Sequence, residues 1–571
     1  AQHQVNTLED AENYLSRMSE LPRKHEQYLL GLQIRESRDI IPPRFVIERV
    51  LEEMRNFVAT PAQDNILYTS LAEKLGEAEE IDEDQAADVL QRAEVSINES
   101  VYPAYETFIN YFGELESSAG DDDGFWRLPD GDAAYRLALR FFTTTDYTAD
   151  EIHEIGLAEV DRIQAEMLEI LKLEGVDVTA GFTAAMDEYS ARPEFYYEDS
   201  DEGRQQILDD YQVMLDELDA GLDDAFNIRP KAGVEVVRVP EFREKTAPGA
   251  YYQQPALDGS RPGRFFANLY DIKATPKYGM RTLAVHEGIP GHHFQIAIAM
   301  ELEGVPLIRR FGFFTAYVEG WALYAERVAY ELGLMPTNAD NIGRLMAELF
   351  RAVRLVVDTG IHHKRWTREE AIEYMLSNTG MAESDVVSEV ERYIVLPGQA
   401  TAYKVGMMKI LELREKAMNE LGDQFDLRDF HDVVLKNGAV PLDPAHLGER
   451  GRGDPLCGRR PARGDHRDVQ HRAQGGDSGV ADRVDADRVV LRFLCVEAGL
   501  QERDVGEHAG RIGKSGLREG WPDQRCRRQC EAGGRAALHK PAAVQTQMHF
   551  SLPDGSTGSS CAGIFCLSMP F

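Results

Sequence analysis

Cysteine is missing from the first 450 residues; all six, Cys457, Cys495, Cys526, Cys530, Cys561 and Cys566, lie beyond them. A thiolate metal site, a cysteine nucleophile and disulfides are therefore excluded from the main part of the chain. Cysteine-free chains occur on both sides of a membrane, so this fixes no compartment. Long apolar runs are missing too. None approaches 18 residues, and no transmembrane helix is expected. Positive charge is scarce: 62 Lys and Arg stand against 98 Asp and Glu, a net charge of −36. That balance speaks against nucleic acid or an anionic membrane surface as partner. The chain starts at Ala1 with no signal-like stretch, which suggests a processed or partial amino end from which an export signal is missing.

A different set of absences marks the carboxyl end. Beyond residue 450, Tyr and Asn disappear and Arg outnumbers Lys 16 to 2, while 18 of the 48 glycines crowd into 121 residues. This tail carries +3 against −39 for what precedes it. Periodicity stops after Val489–Leu494. The composition break, just after Val440-Pro441-Leu442-Asp443, points to an out-of-frame translation of a GC-rich gene over 445–571, with a disordered tail as the alternative. Retranslation in the other frames separates the two.

What is present is helix-rich. Residues 1–230 read as helix after helix, beginning at Leu8-Glu9-Asp10-Ala11, with another after Pro42-Pro43. Thr148-Ala149-Asp150-Glu151 is a capping box heading an amphipathic helix with Ile152, Ile155, Val160, Ile163, Met167 and Leu171 as its stripe. His153 beside that stripe is read as structural. Residues 231–444 begin with two strand-like runs, Val234–Val239 and Arg264–Leu269, separated by a polar loop. An exposed edge there suits an extended peptide, and Arg261 or Arg264 suits a substrate carboxylate. Helices then return to about 440, with a second capping box at Thr367–Glu370. Arg354 is a third candidate for substrate binding; pairing with Asp358, four residues on, is its alternative.

The chemistry concentrates in Val285-His286-Glu287-Gly288-Ile289-Pro290-Gly291-His292-His293. Neutral imidazoles bind zinc, and a carboxylate beside a zinc-bound water can take its proton. On an unbroken helix six residues advance about 9 Å, whereas two ligand nitrogens on one zinc lie roughly 3–4 Å apart. Neither His292 nor His293 could then share a metal with His286. Gly288, Pro290 and Gly291 supply a break, read as a bulge that returns one histidine to the metal. Thr275-Pro276 reads as the N-cap and first residue of this helix. Further on, Glu319, Leu323 and Glu326 share one face of an apolar helix, and an acid there needs a partner such as a metal. Tyr403, at the entry of a helix after Pro397-Gly398, is placed to donate to an oxyanion, with capping of a buried carbonyl as its structural alternative; His362 lies at the end of an earlier apolar helix.

HEGIPGHHFQ, VEGWALYAE, RLVVDTGIHH and PGQATAYKVG together resemble the bacterial domain-of-unknown-function family 885, over roughly residues 5–443. That family in turn resembles the gluzincin metallopeptidases, such as thimet oligopeptidase, angiotensin-converting enzyme and the Taq-type carboxypeptidases. The resemblance implies a large, mainly helical gluzincin-like domain with a small β-sheet beside a central active-site cleft. It implies zinc held by His286, a second histidine and Glu319, with Glu287 as general base, and, since related gluzincins use a Tyr and a His on the oxyanion, that role for Tyr403 and His362. Alignment on Gly-His selects His292, with His293 as the alternative ligand. It further implies an exported or periplasmic location and peptide substrates. Zinc hydrolysis of non-peptide amides or esters, and a non-catalytic binding protein with a relict site, are the competing expectations. Nothing in the sequence fixes oligomeric state or a preference for one end of a peptide.

Overall fold

The computed structural model describes residues 3–244, 247–257 and 259–442; the expected tail and its frame shift lie outside the described residues. The fold is mainly helical, with one small sheet. The amino-terminal helices, Leu8–Ser19 to Tyr102–Leu115, bury two apolar clusters of their own, one around Leu71, Val89 and Ile97 and the other around Ile47, Leu51 and Phe112.

Two 25-residue helices form the spine. Ala149–Leu173 starts at the expected capping box, Thr148 with Glu151, and buries Ile152, Val160, Ile163, Met167 and Leu171. It lies along Asn338–His362, which buries Leu345, Leu349, Val353 and Val357 in the same cluster. The capping box at Thr367 also forms. His153 is buried, its Nδ1 2.8 Å from the Thr359 hydroxyl, as a structural histidine should be.

A larger cluster joins Tyr211 and Leu215 to Phe265, Phe294, Trp321 and Phe430. Residues from before 230 and after 265 thus share one core. Beside it sits a three-stranded sheet of β1 (Val234–Arg238), β2 (Ala250–Gln253) and β3 (Gly263–Ala267). β3 is central, parallel to β1 and antiparallel to β2. The expected strands are β1 and β3. β2 was missed because four residues between Gly249 and Pro255 carry too short a pattern to register.

Candidate metal centre

The His-Glu helix runs Lys277–Glu287 and a second helix runs His292–Glu301. Pro276, not Thr275, occupies the N-cap position, and no side chain caps this end. The Gly288–Gly291 segment is a complete break between two helices and not a bulge in one. Gly288 and Gly291 have φ, ψ of −108°, −106° and −80°, −127°, and the Ile289–Pro290 peptide is cis. A Cβ on Gly291 would lie 2.1 Å from the carbonyl oxygens of both Val285 and His286, so the chain can fold back here only with glycine. Trp321 fixes the turn by donating to the Pro290 carbonyl at 2.9 Å.

This fold-back brings the His286 and His292 rings to 4.8 Å between centroids, at 83°. The Glu319 helix, Thr315–Glu331, supplies the third group. One oxygen of Glu319 lies 3.7 Å from His286 Nε2 and 3.3 Å from His292 Nε2. Two zinc ligands at about 2.0–2.1 Å in tetrahedral geometry sit close to that spacing. Glu287 also clusters here: ligand atoms of His286, Glu287 and His292 all lie within 4.8 Å of one another. All three residues are buried.

Glu326, two turns beyond Glu319, accepts from His286 Nδ1 at 2.7 Å. This bond was not foreseen, although Glu326 had been placed on the Glu319 face. With Nδ1 so engaged, Nε2 is the His286 nitrogen that faces Glu319. Burial lowers the His286 pKa, but the bonds to Glu319 and Glu326 outweigh it and hold the ring at about 9. Burial raises the Glu319 pKa, yet the two histidines hold its carboxyl well below the usual range.

His293 has other partners. Its Nε2 is 3.0 Å from the Ala232 carbonyl and its Nδ1 3.1 Å from the Tyr252 hydroxyl of β2. Burial lowers its pKa to about 4. Of the two candidate histidines, His292 is the one the structure brings to His286 and Glu319.

Tyr403, in the helix Ala402–Leu421, is held beside the cluster. Its pKa is raised by burial and by the charge of Glu319, and its hydroxyl accepts from Gln399 at 3.4 Å. Arg354 stacks on the Tyr403 ring at 4.6 Å. Its guanidinium also donates to Glu389 at 2.9 Å and to the Tyr393 hydroxyl at 3.0 Å, while its Nη1 has no hydrogen-bond partner among the described residues. It does not pair with Asp358, which accepts from the Tyr135 hydroxyl and the Gly398 N–H.

The structure corrects His362 and gives Arg261 and Arg264 partners within the fold. His362 is fully buried, with Nδ1 accepting from Phe125 N–H at 3.1 Å and Nε2 2.9 Å from the Tyr393 carbonyl. Both ring nitrogens are consumed, so it cannot face an oxyanion. Arg261 donates to the carbonyls of Gln254 and Pro262 and pins its own loop. Arg264 pairs with Glu235 on the adjacent strand at 2.7 Å. Arg351 was overlooked: its charge acts on His286 and its guanidinium lies 5.9 Å from the Tyr403 ring.

The family model described as "Bacterial protein of unknown function (DUF885)" matches residues 1–446. The chain belongs to the DUF885 family. It is similar, at 40% identity and TM-score 0.76, to a crystal structure titled "putative lipoprotein" from Colwellia psychrerythraea, covering 77% of this chain and 75% of that one. A "putative lipoprotein of unknown function" from Shewanella oneidensis shares the fold at 19% identity and TM-score 0.57, covering 76% of this chain and 77% of that one. No curated protein matches this DUF885 chain. Among its described residues, no helix is long and apolar enough to cross a membrane.

Proposed function

We propose that this DUF885 protein is a zinc-dependent hydrolase acting on short peptides. The observation that carries the reading is the convergence of His286 Nε2 and His292 Nε2 on one oxygen of Glu319, at 3.7 and 3.3 Å, with Glu287 next in sequence to His286. Two imidazoles and one carboxylate are a donor set suited to catalytic zinc. The Nδ1 of His292 is buried without a hydrogen-bond partner; its Nε2 is the nitrogen aimed at the cluster. Bound there, zinc would polarise a scissile carbonyl and acidify a water.

The chain's own groups have distinct tasks. Glu326 holds the His286 tautomer. Glu287 takes a proton from the attacking water and returns it to the leaving amine. Tyr403 keeps its proton because its pKa is raised, and its hydroxyl donates to the developing oxyanion. The names of the two structural neighbours support an exported location for this chain as well; recovery of the natural protein in the cytoplasmic fraction would overturn that inference.

Elemental analysis of purified protein tests the site. About one zinc per chain is expected, lost in His286→Ala and in Glu319→Gln. Glu287→Gln should keep the zinc and lose about 10²–10⁴ in kcat against a peptide library. Absence of zinc after refolding with the metal would sink the proposal.

A further inference from the structure

Gln399 and Tyr403 stand one turn apart, where the 3₁₀ turn Gln399–Thr401 runs into the helix Ala402–Leu421. Gly398, just before the turn, has φ of +80°, a conformation that favours glycine. Both oxygens of the fully buried Asp358 accept from its N–H, at 3.0 and 2.9 Å, and the Tyr135 hydroxyl donates to one of them at 2.6 Å. The backbone that carries Gln399 and Tyr403 is thereby tied to two other helices, Asn338–His362 and Gly131–Thr143.

The side-chain amide of Gln399 has one accepting end and one donating end. Arg392 Nη1 lies 2.8 Å from its oxygen, and a guanidinium only donates. Arg392 is itself fixed by Glu389, 2.8 Å from its Nη2. With the amide oxygen taken by Arg392, the NH₂ end is turned to the Tyr403 hydroxyl, at 3.4 Å. A phenolic hydrogen lies in the plane of its ring, on one side of the oxygen or the other. Gln399 donates on one side, so the hydrogen occupies the other. Among the described residues it meets no acceptor there. The Arg354 guanidinium lies over the ring at 4.6 Å, which restricts the plane.

We propose that Gln399 is a positioning residue that reserves the Tyr403 proton for the oxyanion formed at the metal centre. The inference rests on the hydrolase reading. Arg392 sets Gln399, and Gln399 sets Tyr403. Gln399→Glu reverses the last step: a carboxylate still pairs with Arg392 but accepts the Tyr403 proton, leaving only lone pairs for the substrate. Gln399→Leu removes the amide and lets the hydroxyl donate in either direction.

Both variants are compared with the wild type, all zinc-loaded, in hydrolysis of a peptide library and in the spectrum of protein labelled with ¹³C at the tyrosine Cζ. The Tyr403 resonance is the one missing from Tyr403→Phe. Gln399→Glu should lower kcat about a hundredfold, as loss of an oxyanion donor does, and Gln399→Leu about tenfold or less, with KM nearly unchanged in both. In Gln399→Glu alone the Cζ resonance should move toward its phenolate position, because the hydroxyl then donates to a carboxylate. Unchanged circular dichroism and zinc content show that both variants are intact. A loss in Gln399→Leu equal to that in Gln399→Glu would make Gln399 a structural residue and overturn the proposal, as would a loss confined to KM. A Tyr403 resonance unmoved in Gln399→Glu overturns it whatever hydrolysis shows. No hydrolysis by the wild type would sink the hydrolase reading and the oxyanion role with it, while the carbon resonance still decides which way the hydroxyl points.

Discussion

His292 and His293 are adjacent and chemically identical, and their surroundings alone separate them. His292 opens its helix facing Glu319, while His293 is turned to the sheet and held by Ala232 and Tyr252. Accordingly, His292→Ala should lose bound zinc and His293→Ala should keep it, read by elemental analysis of the folded protein. His362 makes a second contrast. Its substitution by Ala strands the Phe125 N–H and the Tyr393 carbonyl, each at a cost of about 1–3 kcal/mol. Chemical denaturation should show that loss, while kcat/KM per folded molecule stays unchanged; a specific loss of kcat would restore His362 to the chemistry. The sequence placed His362 near a helix end, as it is, but could not show that both nitrogens were already taken.

Elements bring the groups together through two close approaches of backbone. One is the fold-back at Gly291. Gly291→Ala puts a Cβ 2.1 Å from two carbonyl oxygens, and backbone cannot yield as a side-chain tip can. We expect zinc binding to be lost or the protein to be destabilised by more than about 2 kcal/mol, measured by metal content and melting temperature together. The other is the crossing of the Glu319 and Tyr403 helices. A Cβ on Gly320 would lie 2.5 Å from Gly406 Cα, and one on Gly406 would lie 2.1 Å from the Ala316 carbonyl. Glycines on both sides let these helices touch, which sets Glu319 beside Tyr403. The break was legible because Gly-Ile-Pro-Gly is local and has strong backbone preferences. The Gly320–Gly406 contact was not, because it joins residues 86 positions apart and leaves no mark on local periodicity.

At the scale of the whole molecule, the main core is tied by buried charge as well as by apolar packing. Lys404 is 1% exposed and lies 2.6 Å from Glu348 and 2.8 Å from Glu159; Arg162 and Arg344 complete the group. Lys404→Met leaves Glu348 with Arg162 and Arg344 and Glu159 with Arg162, so its cost in denaturant titration should fall below the roughly 3–5 kcal/mol of a buried charge left wholly unpaired. Acid should weaken the fold as well. Burial lowers the pKa of His362 to about 3 and those of His293 and His431 to about 4. Folding therefore favours their neutral forms, while the unfolded chain takes up protons first. Their contribution is complete above the ordinary value near 6.5 and is lost as pH falls from there toward about 4. Asp358 opposes them: burial raises its pKa to about 7, so its contribution is present at low pH and lost as pH rises from about 4 to 7. With three groups against one, the melting temperature of metal-free protein should fall between pH 6.5 and 4; a rise over that range would contradict these burial assignments.

The sequence by itself determined the helical class, both capping boxes, the two longer strands, the helix break and the residue types at the candidate centre. Those features rest on interactions within a few residues, so periodicity and local backbone chemistry report them. Tertiary structure alone decided that His292 faces Glu319 while His293 faces the sheet, that Glu326 holds His286, and that Arg261, Arg264, Arg354 and His362 have partners of their own. A side chain's role depends on which distant groups reach it first, and spacing along the chain carries no record of that competition.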